Sequence, residues 1–253
     1  MVNKNSFFLL EELIKKEFIA KYKDSVLGIL WSVLKPLLIM ILLTIIFSTI
    51  FGSMIENYPV YLLSGKCIYD FFTAATNLSV NTIKHNQNIL KNTSAPKQIF
   101  VLGSVFSEFI NFIITLLILL FVMIVTGAHF YITIPLAILP IISLLMTITG
   151  IGLILSIICV YYTDIQHLWS VIAMMGMYAS AIFYPMDIIP EPYHDYMILN
   201  PIFWIIDQFR SLAVYGTIPN YIYIANSLLL SAIILVCGII IFEKYAPKVT
   251  MKF

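Results

Sequence analysis

Few side chains in this sequence can do chemistry, and the lysines stand out among them by position. Lys21, Tyr22 and Lys23 form a basic, hydrogen-bonding cluster just ahead of an apolar run that continues to Phe51. Lys35 lies inside that run. Counted at about 1.5 Å per residue from Val26, it sits roughly 13 Å into apolar surroundings, where a lysine costs at least ~2.5 kcal/mol. It either snorkels to the nearer surface or faces a polar conduit or a partner chain. Lys66 and Asp70, four residues apart, can neutralise each other along one helix face, whereas Glu108 has no counter-charge near it in sequence. Charges of this kind can attract or pair with ions. They do not make a bond-breaking set.

Other chemistries find little support. His85, His129, His167 and His194 are scattered over loops without ligand spacing, and Cys67, Cys159 and Cys237 lie far apart in apolar runs, as small buried hydrophobes do. No metal site is expected. Gly65-Lys66 lacks the preceding glycine and following Ser/Thr of a phosphate-binding P-loop, so nucleotide hydrolysis is not expected on this chain. The one grouping of catalytic residue types, Asp187, Glu191, His194 and Asp195, falls in a loop with no recognisable spacing. No catalytic residue is assigned.

The elements that carry these residues are those of a membrane protein. The 253 residues are 61% hydrophobic and 11% charged, against about 45–50% and about a quarter in soluble domains. A net charge of +1 gives no reason to expect a nucleic-acid partner. Residues 4–20 read as a helix lying on the membrane: Phe7, Leu10, Leu13, Ile14 and Phe18 share one side, and Lys4, Glu11, Glu12, Lys15 and Lys16 the other. Stretches of about 20 apolar residues are long enough to span, and five qualify readily: 26–51, 101–126, 132–162, 168–189 and 221–242. A sixth, 60–83, is weakened by Lys66, Asp70, Asn77 and Asn81. It is accepted because only then do the lysines of the two termini and of residues 84–97 share one face.

That face is the cytoplasm by the positive-inside rule, so both termini are inside. The opposite face carries Glu56, Asp187, Glu191, Asp195 and Asp207, with Arg210 as its one basic residue, and a belt of tyrosines. The expected fold is therefore all-α and polytopic, one domain over 1–253. It has an N-terminal amphipathic interfacial helix (1–24), six transmembrane helices, a cytoplasmic segment at 85–96, and an outer re-entrant segment (190–219) between the fifth and sixth spans. The outer "NPIFWIIDQFRSLAVYG" is too short between its breakers to span.

Taken together, "KYKDSVLGILWSVLKPL" after a surface helix, the cytoplasmic "NQNILKNTSAP", the "YYTDI" corner and the outer "NP…DQFR" resemble the membrane subunit of type 2 ABC exporters of lipid-linked surface polysaccharides, the O-antigen, capsule and wall teichoic acid exporters. The resemblance covers essentially the whole chain, in order. It implies a permease in the bacterial inner or plasma membrane that forms a homodimer and pairs with two cytoplasmic ATPase subunits, which would hold ATP and Mg. It implies outward passage of an undecaprenyl-pyrophosphate-linked glycan or teichoic acid. On that basis Lys21, Tyr22, Lys23 and Lys35 become candidates for a gate that attracts the pyrophosphate; the first three also suit interfacial anchors. His85, Asn86, Gln87, Asn88, Ile89, Leu90, Lys91 and Asn92 become candidates for coupling to the ATPase. Phe47, Phe51, Tyr178, Phe183, Tyr184, Phe203 and Trp204 are expected to gather in the outer half of the membrane, where aromatic faces can guide sugar rings along a conduit. Two departures stand out. Thr163-Asp164 replaces the usual Arg-Asp, so a role for that arginine does not carry over. Ser180-Ala181 replaces Ser-Pro, so the kink there is expected to sit elsewhere. A drug or lipid exporter of the same fold, and a membrane enzyme acting on polyprenyl-linked sugars, are the rival readings.

Overall fold

The computed structural model describes residues 4–23, 25–52, 54–92, 96–194, 197 and 199–249. Asp24, Asp195, Lys252 and residues 93–95 of the expected coupling segment lie outside them, as do the side chains of Lys4, Asn92 and Lys248. Among the described residues the chain is helix and turn, without strands. Its helices are α1 (Lys4–Tyr22), α2 (Trp31–Phe51), α3 (Tyr58–His85), α4 (Gln87–Asn92), α5 (Gln98–Val125), α6 (Ile138–Tyr161), α7 (Ile165–Tyr178), α8 (Pro201–Ala213) and α9 (Tyr221–Val249). Among the described residues four helical stretches are long and apolar enough to cross a membrane: Gly28–Phe51, Gln98–Val125, Ile134–Tyr161 and Tyr221–Pro247.

The centre of the bundle is α3, the least apolar of the long helices that follow α1. Eighteen of its 28 residues are buried, and it packs against α2, α5, α6, α7 and α8. Its hydroxyls are satisfied internally: Thr76 Oγ1 donates to the Phe72 carbonyl at 2.7 Å and Ser79 Oγ to that of Ala75 at 2.7 Å, the usual way a membrane helix accommodates such side chains. Further polar groups tie it to the antiparallel α7 and the corner before it. Lys84 Nζ donates to Thr163 Oγ1 (2.8 Å), Asn81 Nδ2 to Gln166 Oε1 (2.9 Å), Trp169 Nε1 to Thr76 Oγ1 (3.0 Å) and Tyr69 OH to the Ala173 carbonyl (2.5 Å). A cation therefore does stand at the corner that lacks an arginine, supplied by α3.

Glycine lets α6 and α9 touch backbone to backbone. A Cβ on Gly150 would lie 2.5 Å from the Ile234 carbonyl oxygen, and one on Gly238 2.5 Å from that of Gly150; small residues at helix interfaces in lipid permit this approach. By contrast α2 buries only Ser32, and Leu38, Ile41, Leu42 and Ile45 point away from the protein.

Two expectations need correction. The stretch 168–189 is not one helix: α7 stops at Tyr178, and Ala181 adopts a left-handed backbone with φ 47°. The break thus sits at Ser180-Ala181 with no proline at either position, four residues ahead of Pro185, whose ring would meet the Ala181 carbonyl in a continued helix. Arg210, which was expected as a basic residue of the outer face, is only 5% exposed and holds the chain at this break. Its guanidinium lies 3.6 Å from the Tyr61 ring centroid and donates to the carbonyls of Ala181 (2.8 Å), Ile182 (3.1 Å) and Tyr61 (3.1 Å). Tyr61 and Tyr58 donate to further carbonyls at Tyr184 and Phe183, so groups that would continue the helix are held elsewhere. Gly65 makes room for this arginine, since a Cβ there would lie 2.4 Å from Arg210 Nη2. Arg210 is presented by α8, which Asn200 caps through its side-chain oxygen on the Ile202 amide (3.0 Å) with Pro201 at the first turn. This short helix is packed among α3, α6 and α9.

Candidate functional site: a charged cavity between α1, α2, α3 and α5

Helical spacing brings three polar stripes together. On α3, Lys66, Asp70, Thr73 and Asn77 recur at intervals of four, three and four and so share one face; on α5, Glu108, Asn111 and Thr115 do the same; on α2, Ser32 and Lys35. With Lys21 and Tyr22 from the end of α1 these residues line one cavity of about 620 Å³. Lys21 Nζ meets both carboxylate oxygens of Glu108, at 3.0 and 2.8 Å. Asn111 Nδ2 donates to Glu108 Oε2 at 3.1 Å, and Tyr22 OH donates to Asn111 Oδ1 at 2.7 Å. Burial, and then the neighbouring Glu108 charge, push the Tyr22 hydroxyl above its ordinary pKa, so it remains a donor. These contacts tie the end of α1 to α5, along which α1 runs from the contact of Leu13 with Gly103 onward.

The cavity's charges are unequally matched. Lys21 is paired with Glu108 and Lys66 with Asp70, while Lys35 has no ion-pair partner among the described residues. Three lysines and two carboxylates line the cavity, which leaves the charge of Lys35, an exposed side chain of that lining, unmatched. Of the four gate candidates the structure brings Lys21, Tyr22 and Lys35 together. Lys23 instead borders a separate depression with Phe18, Ile19 and Leu27.

The aromatic candidates divide into two groups. Phe47 stacks on Phe51 (6.1 Å) and Phe183 (5.6 Å), Tyr178 packs on Phe183 (5.8 Å), and Tyr184 OH donates to the Tyr178 carbonyl. Phe203 and Trp204 lie elsewhere, with Trp204 stacked on Tyr223 of α9 at 5.3 Å. In the coupling segment His85, Gln87, Asn88 and Lys91 are exposed, and Ile89 is half-buried. Asn86 and Leu90 turn inward. Asn86 is 1% exposed, accepts from Lys16 Nζ at 2.8 Å and donates to the Thr82 carbonyl at 2.9 Å, which ties α1 to the start of α4. His194 contacts the Ile189 carbonyl through Nε2. Among the described residues no cluster of His, Cys, Asp or Glu could hold a metal ion.

Thr73, Asn111 and Thr115 were not picked out from sequence, and Asn77 only as a polar residue weakening the 60–83 span, although their heptad-like spacing within the helices was a signal available there. The partner of Glu108 was not legible at all, since Lys21 lies 87 residues away.

An N-terminal helix tied to the approach to the short α4, and a charged cavity among apolar helices, suit a membrane permease. The chain belongs to the ABC-2 type transporter family, whose profile matches residues 9–214. It is 30% identical over 240 residues to the O-antigen export system permease protein RfbA of Klebsiella pneumoniae, covering 94% of this chain and 92% of that one. It is 24% identical to the RfbA protein of Myxococcus xanthus, covering 84% and 82%, and 23% identical to the polysialic acid transport protein KpsM of Escherichia coli, covering 92% of each.

Proposed function

We propose that this chain is the permease subunit of an ATP-driven exporter that moves a lipid-linked polysaccharide outward across the bacterial inner or plasma membrane. The observation that carries the reading is the cavity with one unmatched lysine, enclosed by helices of an ABC-2 permease: an anionic lipid head group fits a site that is polar, cationic and flanked by lipid-facing helices. Relatives named for O-antigen and polysialic acid transport support a glycan as cargo.

The working unit is a homodimer with two ATPase subunits, which hold ATP and Mg. In each copy α2, α3, α5, α6 and α9 act as spans, α7 with the non-helical residues 179–184 that follow it makes the sixth crossing, both termini are cytoplasmic, and α8 enters the membrane from outside and returns. The exposed side chains His85, Gln87, Asn88 and Lys91 dock on the ATPase, and α1 moves with them through the Lys16–Asn86 contact. Phe47, Phe51, Tyr178 and Phe183 guide the sugar chain on the outer side. Protein electrostatics draw the head group toward Lys35.

Co-purification with the ATPase encoded beside it, followed by substrate-stimulated ATP hydrolysis, tests this reading. Failure to bind any ATPase, with deletion of residues 85–92 leaving export unchanged, would sink it. Alanine at Asp187, Glu191, His194 and Asp195 separates transport from enzymatic action, since export is expected to survive the change.

A further inference from the structure

The cavity contains its own competitor for an anion. Glu108 is nearly enclosed, with 8% of its side chain exposed, whereas the Lys21 side chain that it holds is 42% exposed. Lys21 sits in the last turn of α1. Beyond it the chain leaves the helix and turns through Gly28, whose backbone is left-handed (φ 49°) with open space around its Cα. The ammonium end of the pair can therefore move, and the carboxylate end cannot.

We propose that Glu108 sets the charge threshold of the site, admitting a lipid diphosphate and rejecting the singly charged phosphodiester lipids of the surrounding bilayer. The proposal rests on the reading of this cavity as the head-group site. For a ligand to use Lys21, it must draw the ammonium away from Glu108 and leave a buried carboxylate whose remaining partner is Asn111. Stripping one partner from a buried ion pair is costly, and the ligand's own charge is repelled by Glu108 as it approaches. A phosphodiester offers one negative charge to Lys21 and Lys35 together and does not recover that cost. A diphosphate offers at least two, with enough oxygens to engage both ammonium groups and the Tyr22 hydroxyl in charge-assisted hydrogen bonds. Release of Lys21, with transfer of the Tyr22 hydroxyl from Asn111 to the ligand, also frees the end of α1 from α5, so the same exchange that selects the ligand loosens the helix tied to Asn86 and α4.

Equilibrium binding of inorganic pyrophosphate and of dimethyl phosphate to the full-length chain in detergent tests this. The wild type is expected to bind pyrophosphate and to discriminate against dimethyl phosphate. Glu108→Gln should reduce that discrimination by at least about tenfold, mainly by admitting dimethyl phosphate, and Glu108→Asp, which keeps the charge, should retain it. Unchanged discrimination in Glu108→Gln, or equal loss in both variants, overturns the role of Glu108 and leaves the head-group site standing. Pyrophosphate binding in neither wild type nor Glu108→Gln overturns the site itself. A second measurement leaves Glu108 intact: in a Leu13→Cys/Gly103→Cys chain, pyrophosphate should slow disulfide closure between α1 and α5 by at least about threefold relative to dimethyl phosphate. Equal rates with the two anions would contradict the exchange.

Discussion

Helices α2 and α3 reverse the ordinary relation between hydrophobicity and burial. Almost every residue of α2 is apolar, yet only Ser32 is buried. In α3 lysine, aspartate, asparagines and a series of hydroxyls interrupt the apolar run, yet 18 of 28 residues are buried. In a lipid environment apolar surface is already solvated by hydrocarbon, so hydrophobicity records contact with lipid. Polar groups gather at the bundle centre, where other helices satisfy them. The two helices meet along the cavity, which Ser32 and Lys35 of α2 line.

Changes on the α3 side should cost the fold most. Arg210→Met removes a donor from each of the carbonyls of Tyr61, Ala181 and Ile182, of which Ala181 keeps the Tyr61 hydroxyl and Tyr61 keeps the Ser64 hydroxyl, and is expected to destabilise by about 3 kcal/mol, visible as loss of monodisperse protein and a lowered thermal midpoint. Gly65→Leu should reproduce that loss, because the new side chain would occupy the guanidinium's place. Thr76→Val removes the acceptor of the Trp169 indole and is expected to cost about 1 kcal/mol, read as a smaller shift of the same midpoint. At the opposite end, alanine at Ile41 or Ile45 of α2 should change the stability of the single chain by less than about 0.5 kcal/mol. A large loss there would show that these side chains are held by more than lipid.

How much of this was legible in the sequence follows the same division. The apolar stretches behind α2, α5, α6 and α9 stand out because lipid-facing residues must be apolar. The central place of α3 was not legible, since its polar residues weaken a hydropathy signal for the very reason that makes it central. The break after Tyr178 escaped because neither Ser180 nor Ala181 is a helix breaker and the bearing of Pro185 on a helix four residues earlier was not weighed; the contacts of Arg210 that hold the broken segment, some 30 residues on, could not be read from sequence. Within the cavity, Lys35 could be singled out by its depth in an apolar run, and Lys66 with Asp70 by their spacing. Glu108 and Lys21 could not be joined, because only the packing of α1 on α5 brings them together. Seven aromatic residues, alike in composition, were separated into two clusters by tertiary structure alone.

The most direct test of the central claim compares two of the lysine gate candidates, which the structure places in different depressions. Lys35→Met and Lys23→Met are introduced separately into cells lacking the native gene, and surface glycan is measured against the amount of permease in the membrane. The account predicts normal protein levels for both, with export lowered about tenfold or more by Lys35→Met and within about twofold of wild type for Lys23→Met. Equal export from the two variants would contradict the claim that the cavity between α1, α2, α3 and α5 receives the substrate.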